Sequence, residues 1–442
     1  MTSRTRRVIP AMILGAACAS TPMAFGGDVT QAELMAQIEQ LKAKVEQLEQ
    51  KQVSSTDVDA TVESVLRDAN NRSQLLQAGT VTAGYEKGKA FIRSEDGNFY
   101  LNPNAQFQFR DVTNYRQDVA PSDGGEEDDV LENGMEIRRM KIAFDGYAFT
   151  PNLTYKFQWA FARSGGSPVL EDAWARYKFT DAFGFRVGQI KDITFHEETT
   201  SSKRQLAVDR SLANELLAGG LTDYVQAINF IWEDSEVPVR FEGGLTDGVN
   251  SDNTNFRDPP NNGANYGVDG RLDWFVYGDR KQYDDFTAMN NKTDLLVLGA
   301  GAHYQQTGDV NTVFHTVDVQ WENTSGTGVY GAFMGVWSDN GGSEDVDSSY
   351  SWAALGQVGQ MVSDKWELFA RYDYTNFDTD SNEDSWSEVT VGANYYFAGH
   401  AAKCTVDVVY LPDGSPSEQT GIGILGGTET QIAIRGQFQL LI

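Results

Sequence analysis

The last twelve residues, QIAIRGQFQLLI, alternate in polarity one residue at a time. Ile432, Ile434, Gly436, Phe438, Leu440 and Ile442 fall on one side of an extended strand, and Gln431, Ala433, Arg435, Gln437 and Gln439 on the other. Successive strand side chains point to opposite faces, so the segment is greasy on one face and wet on the other. An edge strand of a soluble sandwich shares this pattern but rarely runs to the final residue without a polar tail. A barrel in lipid needs such a strand for closure, because hydrocarbon cannot satisfy an unpaired edge. Such barrels commonly finish on an aromatic residue, whereas this chain finishes on Ile442.

Composition sharpens the choice. No apolar run after the N-terminus is long enough to cross a bilayer as a helix, which excludes a helical membrane protein. A β-barrel is compatible, since half of its strand residues face water. Aromatics make up 12% of the chain, enough for two interfacial girdles. The formal charge of −28 disfavours nucleic-acid binding, which requires a basic footprint. At the N-terminus, Arg4, Arg6 and Arg7 precede an apolar stretch from Val8 to Ala19 and the small residues of Ala24-Phe25-Gly26, the pattern of a secretory signal over 1–26. Cys404 is then the only cysteine of the mature chain, so no intrachain disulfide is expected.

Residues 27–53 carry a heptad pattern, with Ile38 and Val45 at a and Leu34, Leu41 and Leu48 at d. That spacing predicts a short coiled coil, and three heptads are marginal without larger assembly. A single amphipathic helix is the alternative. A helical and polar linker is expected over 54–98, and a barrel over 99–442. Sixteen strand candidates begin with 99–110, 136–149 and 153–163 and end with 388–398, 403–411 and 430–442, at lengths a bilayer requires. Leu153, Tyr155, Phe157, Trp159 and Phe161 oppose Thr154, Lys156 and Gln158. The candidates at 329–338 and 350–362 alternate poorly. Tight turns such as Thr150-Pro151-Asn152 alternate with long connections at 111–135, 191–223, 247–267, 376–387 and 412–429. Short turns on the periplasmic side and long loops outside are the outer-membrane pattern, and an even strand number puts both termini in the periplasm. Residues 279–293 break the scheme, being long on the short-turn side. The fold expected is therefore all-β: a sixteen-stranded antiparallel transmembrane barrel with a short N-terminal periplasmic coiled coil.

Nothing points to catalysis, a metal or a cofactor. The four histidines, at 196, 303, 315 and 400, have neither zinc-type nor nucleophile-type spacing. Transport is better supported. On the first five strands the lumen-facing set includes Arg110, Arg139, Lys141, Lys156, Arg176, Lys178 and Arg186, opposed there only by Asp145 and Asp172. Fixed charges in a pore with low-dielectric walls set ion preference. Pairing with neighbouring acids would cancel that field, and the sequence leaves both outcomes open. The 191–223 loop is long enough to fold inward, and it carries Glu197, Glu198, Lys203, Arg204, Asp209 and Arg210. Acid concentrates in 123–132, 339–347 and 378–388, read as solvated loops or as sites for divalent cations bridging to lipopolysaccharide.

Four stretches add a resemblance: Glu136-Ile137-Arg138-Arg139-Met140-Lys141, Val187-Gly188-Gln189-Ile190-Lys191, Glu197-Glu198-Thr199-Thr200-Ser201-Ser202 and Asp209-Arg210-Ser211-Leu212-Ala213-Asn214. With the signal, coiled coil and barrel layout, they resemble the phosphate-selective porin O and P family of Gram-negative outer membranes. The resemblance implies a trimeric diffusion channel in outer-membrane lipid, with anions, phosphate or polyphosphate as substrates. It also implies that arginines and lysines along the pore give selectivity. Arg138, Arg139, Lys141, Lys191 and Arg210 are the positions that match. The acidic loops motivate an alternative, a cation- or sugar-preferring porin of the same architecture. A second alternative is a structural tether between the outer membrane and the periplasm.

Overall fold

A computed structural model of the chain describes residues 35–36, 38–43, 63–64, 67, 81–86, 88–120, 126–256, 264–339, 341, 347–379 and 384–442. The chain divides into two units, 1–78 and 79–442. In the first, every described residue is helical, and Arg67 pairs with Glu63 one turn earlier at 3.1 Å. Ile38 and Leu41 of the expected coiled coil are helical and exposed, whereas Leu34, Val45, Leu48 and the signal segment lie outside the described residues.

The second unit is a sheet of eighteen strands. They are β1 (Val81–Glu86), β2 (Lys89–Ser94), β3 (Tyr100–Val119), β4 (Asp128–Tyr147), β5 (Leu153–Phe161) and β6 (Pro168–Lys178). Next come β7 (Phe183–Lys191), β8 (Tyr224–Glu233), β9 (Val239–Thr246), β10 (Tyr266–Tyr277), β11 (Leu295–Thr307) and β12 (Val310–Glu322). The last are β13 (Thr327–Ser338), β14 (Ser349–Met361), β15 (Trp366–Asn376), β16 (Ser385–Tyr396), β17 (Ala402–Leu411) and β18 (Gln431–Leu441). From β3 to β18 each strand pairs antiparallel with the next, and β18 closes on β3 from Gln431↔Arg116 to Leu441↔Gln106. This is the closed sixteen-stranded barrel expected.

Its burial is inverted relative to a soluble protein. Ile228, Phe230 and Trp232 on β8, and Ile434, Phe438 and Leu440 on β18, point outward and are exposed, while Asn229, Arg435, Gln437 and Gln439 point inward and are buried. Water cannot be the outer solvent of such a surface, and the apolar band suits lipid.

Three sequence expectations are corrected. Part of the 54–98 linker is neither helical nor loop, because β1 and β2 form a hairpin that pairs with the start of β3 through Ile92↔Leu101 and Arg93↔Tyr100. The long connection at 111–135 is largely strand, since β3 and β4 each run 20 residues and stay paired to Val119↔Asp128. Inward contacts keep that pairing intact: Asn114 donates to Gln431 at 2.7 Å and Arg116 to the Gly426 carbonyl at 3.1 Å. Glu388, the end of an acidic run read as a solvated loop, is buried on β16 and accepts from Arg371 at 2.7 Å.

The β7–β8 connection, residues 192–223, folds into the barrel and holds three short helices: α1 (His196–Thr199), α2 (Leu212–Leu217) and α3 (Gly219–Thr222). Phe195, Leu206, Ala207, Ala213 and Leu217 pack on Phe314, Tyr330, Ala332, Met334, Ala353, Leu355 and Phe369 of β12–β15. This contact explains the poor alternation of β13 and β14, whose lumen faces are apolar because the loop covers them. Gly301 on β11 allows the chain past at close range, because a Cβ there would stand 2.3 Å from the Thr194 carbonyl oxygen. The β10–β11 connection, residues 278–294, also turns inward, burying Tyr283, Phe286, Thr287 and Ala288.

Candidate functional site

The loop is fixed to the wall by polar contacts that a lipid-facing barrel can offer only in its lumen. Lys403 donates to the Gln205 carbonyl at 2.8 Å, Asn394 to the Leu206 carbonyl at 2.9 Å, and Arg371 to the Asp209 carbonyl at 2.9 Å. At the start of α2, Leu212 N–H donates to Glu388 at 2.9 Å, Ala213 N–H to Asp373 at 3.1 Å, and Asn214 N–H to the capping Ser211 hydroxyl at 3.1 Å. Helix N-termini carry unpaired donors, and acidic wall residues satisfy them here.

Asp209 is the hub of this anchoring. It accepts from Arg110 at 2.5 Å, Arg138 at 3.1 Å and Arg139 at 2.6 Å. Burial alone would raise its pKa, but Arg138, Arg139, Arg110 and Arg435 overcome that and hold the carboxyl well below the usual range. Neighbouring strand residues should face opposite ways, yet Arg138 and Arg139 both reach Asp209. A register shift makes this possible, as Gln108 pairs with Arg139 and Phe109 with Ile137, which leaves Arg138 as the extra residue of a bulge.

Between the loop and the strands from β4 to β10 lies a cavity of about 390 Å³. Lys141, Lys156, Arg186, Lys191, Lys203, Arg204, Arg210, Arg240 and Arg271 line it, against Asp172, Glu242, Asp273 and Asp284. Trp174 and Tyr224 form part of its apolar surface.

Most of these cations are paired. Lys141 meets Glu171 at 2.6 Å, Lys156 meets Asp172 at 2.8 Å, and Arg186 and Arg240 share Glu242. Lys191 and Arg210 share Glu198, and Arg271 bridges Asp273 and Asp318 at 2.8 Å each. Lys203 differs: no ion pair forms to it among the described residues. Burial, together with Lys156 and Arg204, pushes its pKa down to about 8.

The ten positions expected to line a pore therefore separate into three groups. Lys141, Lys156, Arg186, Lys191 and Arg210 line the cavity. Arg110, Arg138 and Arg139 anchor the loop through Asp209. Arg176 and Lys178 sit at the short-turn end of β6, both on Glu233. Sequence reasoning passed over Lys203 as a site residue. It lies between two matching motifs, in a loop whose charges appeared balanced.

The four histidines have structural surroundings. His196 stacks on Tyr283 with ring centroids 3.8 Å apart, and burial followed by Arg271 lowers its pKa to about 4, leaving it neutral. His303 is buried against Asp192, His315 meets the Tyr350 hydroxyl at 3.2 Å, and His400 faces Asp285 at 3.5 Å.

The sequence model of a family described as phosphate-selective porin O and P matches residues 110–334, just over half of the chain. The chain belongs to this family. The match runs from β3 to β13 and includes the inward loop and the whole basic side of the cavity. A relative from Aquifex aeolicus (strain VF5), an uncharacterized protein, is 23% identical over 283 residues, or 57% of this chain. The match spans 65% of that relative, less than two thirds of its length. Among solved structures, the anion-selective porin from Comamonas acidovorans has a TM-score of 0.52 at 10% identity, over 77% of this chain and 100% of that one. Salmonella typhi OmpF in complex with daunomycin has a TM-score of 0.52 at 15% identity, over 78% and 98%. These likenesses are of fold, that of a closed antiparallel porin barrel.

Proposed function

We propose that this protein is an outer-membrane porin that passes small hydrophilic solutes by passive diffusion and prefers anions, phosphate among them, at its inner constriction. The reading is of a channel and not an enzyme. The observation that carries it is the cavity beside the 192–223 loop, where nine cationic side chains face four carboxylates and Lys203 has no carboxylate within ion-pair distance among the described residues, Asp145 attracting it only from farther away. An unpaired ammonium in a narrow, low-dielectric-walled passage attracts anions and opposes cations. Acidic loops outside act mainly on ions at the mouth, since salt screens their field beyond about 8 Å at physiological ionic strength.

The assembly proposed is a homotrimer in lipopolysaccharide-bearing lipid, with residues 27–53 as a coiled coil in the periplasm after removal of 1–26. The test is single-channel recording in a planar bilayer under a KCl gradient, with phosphate added as a blocker. A reversal potential toward chloride, with block by phosphate, is the expected result. An open, cation-selective channel would make the acidic loops dominant and reject the anion preference. Correctly folded protein that does not conduct would reject the channel and favour the tether.

A further inference from the structure

The long turn at 278–294 has no place in the usual plan of short periplasmic connections. It rises into the lumen beneath the 192–223 loop and stays there by specific contacts. Tyr283 stacks on His196, and its hydroxyl lies 2.7 Å from Arg271. Phe286 joins the apolar cluster formed by the loop and β12–β15. Thr287 donates to Glu367 at 2.7 Å. These anchors leave Asp284 with a 64% exposed side chain on the cavity lining, 3.4 Å from the Arg204 guanidinium of the loop above.

We propose that the 278–294 turn is the periplasmic jaw of the constriction and that Asp284 at its tip is a selectivity-determining residue, lowering anion preference by neutralising Arg204. The inference deepens the porin reading and rests on it. In other pairs on the cavity the carboxylate is buried, as at Asp172 and Glu242, whereas Arg204 and Asp284 are both partly exposed and both line the cavity. The net field there depends on one acidic side chain supplied from the opposite side of the membrane to the loop it meets. Its removal frees a guanidinium one residue from Lys203, leaving two adjacent cations with no carboxylate at ion-pair distance among the described residues.

The experiment compares reversal potentials of wild type, Asp284→Asn, Arg204→Gln and the double variant under one KCl gradient. Asp284→Asn is expected to raise the chloride-to-potassium permeability ratio about threefold, the order produced by one unit charge a few ångströms from the path in an aqueous dielectric. In the Arg204→Gln background the same change should have a clearly smaller effect, because its target is gone. An unchanged ratio in a conducting Asp284→Asn protein overturns the proposal. So does an equal effect in both backgrounds.

A second readout needs no conduction. In a Cys404→Ser background, Asp284→Cys in detergent should react faster with an anionic thiol reagent than with a cationic one, and Arg204→Gln should reduce that ratio. Equal rates would overturn the jaw. A non-conducting wild type with the expected rate ratio would reject the porin reading while supporting the charged jaw.

Discussion

The two sides of this barrel use the same strand chemistry for opposite ends. From β12 to β15 the lumen face is packed: Phe314, Tyr330, Met334, Leu355 and Phe369 lie under the loop and exclude water. From β4 to β9 the lumen face is wet and charged, with Lys141, Lys156, Arg186 and Arg240 around open volume. The packed side positions the loop, and the loop then presents Lys203 and Arg204 to the wet side. Charge serves both walls differently. Where a carboxylate is buried among several arginines, as at Asp209, it fixes structure. Where a cation has no carboxylate within ion-pair distance and borders open volume, as at Lys203, the proposed role is to act on ions.

This division can be broken first at its strongest point. Asp209→Ala leaves Arg110, Arg138 and Arg139 without their shared acceptor, and removing one partner of a buried charge cluster costs about 3–5 kcal/mol. A guanidinium unfolding midpoint should fall accordingly, and an unchanged midpoint would mean the hub contributes nothing to stability. Leu206→Ala on the packed side should cost about 2–4 kcal/mol through the cavity it leaves, with larger or noisier conductance as the loop loosens. Normal stability there would contradict the packed interface.

On the wet side the effects should be functional. Lys203→Gln is expected to lower anion preference about threefold with little change in the unfolding midpoint. If the ratio stays the same, the preference arises elsewhere. The pH dependence follows from the pKa of about 8. Lys203 is charged below that value and neutral above it, so chloride preference should decline as pH rises through about 8 in wild type but not in Lys203→Gln. The linkage has a matching sign: a lysine whose folded pKa lies below its unfolded value of about 10.4 destabilises the fold while charged. That cost is present in full at neutral pH and is relieved between about 8 and 10.4. The smallest effect belongs to Arg176→Gln and Lys178→Gln. Both groups share Glu233 in a partly exposed setting, where such pairs contribute about 1 kcal/mol or less.

Much of this was legible in the residues. Alternation is local, so each strand declares its two faces within ten residues. Two of the family motifs, at 197–202 and 209–214, fall on the inward loop. Even the failures of alternation were informative, since β13 and β14 alternate poorly where the inward loop covers them. Less legible were elements whose role depends on distant partners. The 111–135 stretch looks like a loop because its charges and glycines mask its pairing, which is braced by contacts from β3 to the 412–430 connection. The turn at 278–294 gave only its anomalous length.

The sequence by itself determined the barrel, its sixteen strands, their order and the concentration of basic residues on one side, because periodicity and turn chemistry are properties of neighbouring residues. The tertiary structure alone decided which cations are quenched. Arg139 meets Asp209 across 70 positions, Arg435 meets Asp407 across 28, and Arg204 meets Asp284 across 80. Whether a charge anchors or selects depends on what lies within a few ångströms of it, and chain closure and loop insertion set those distances.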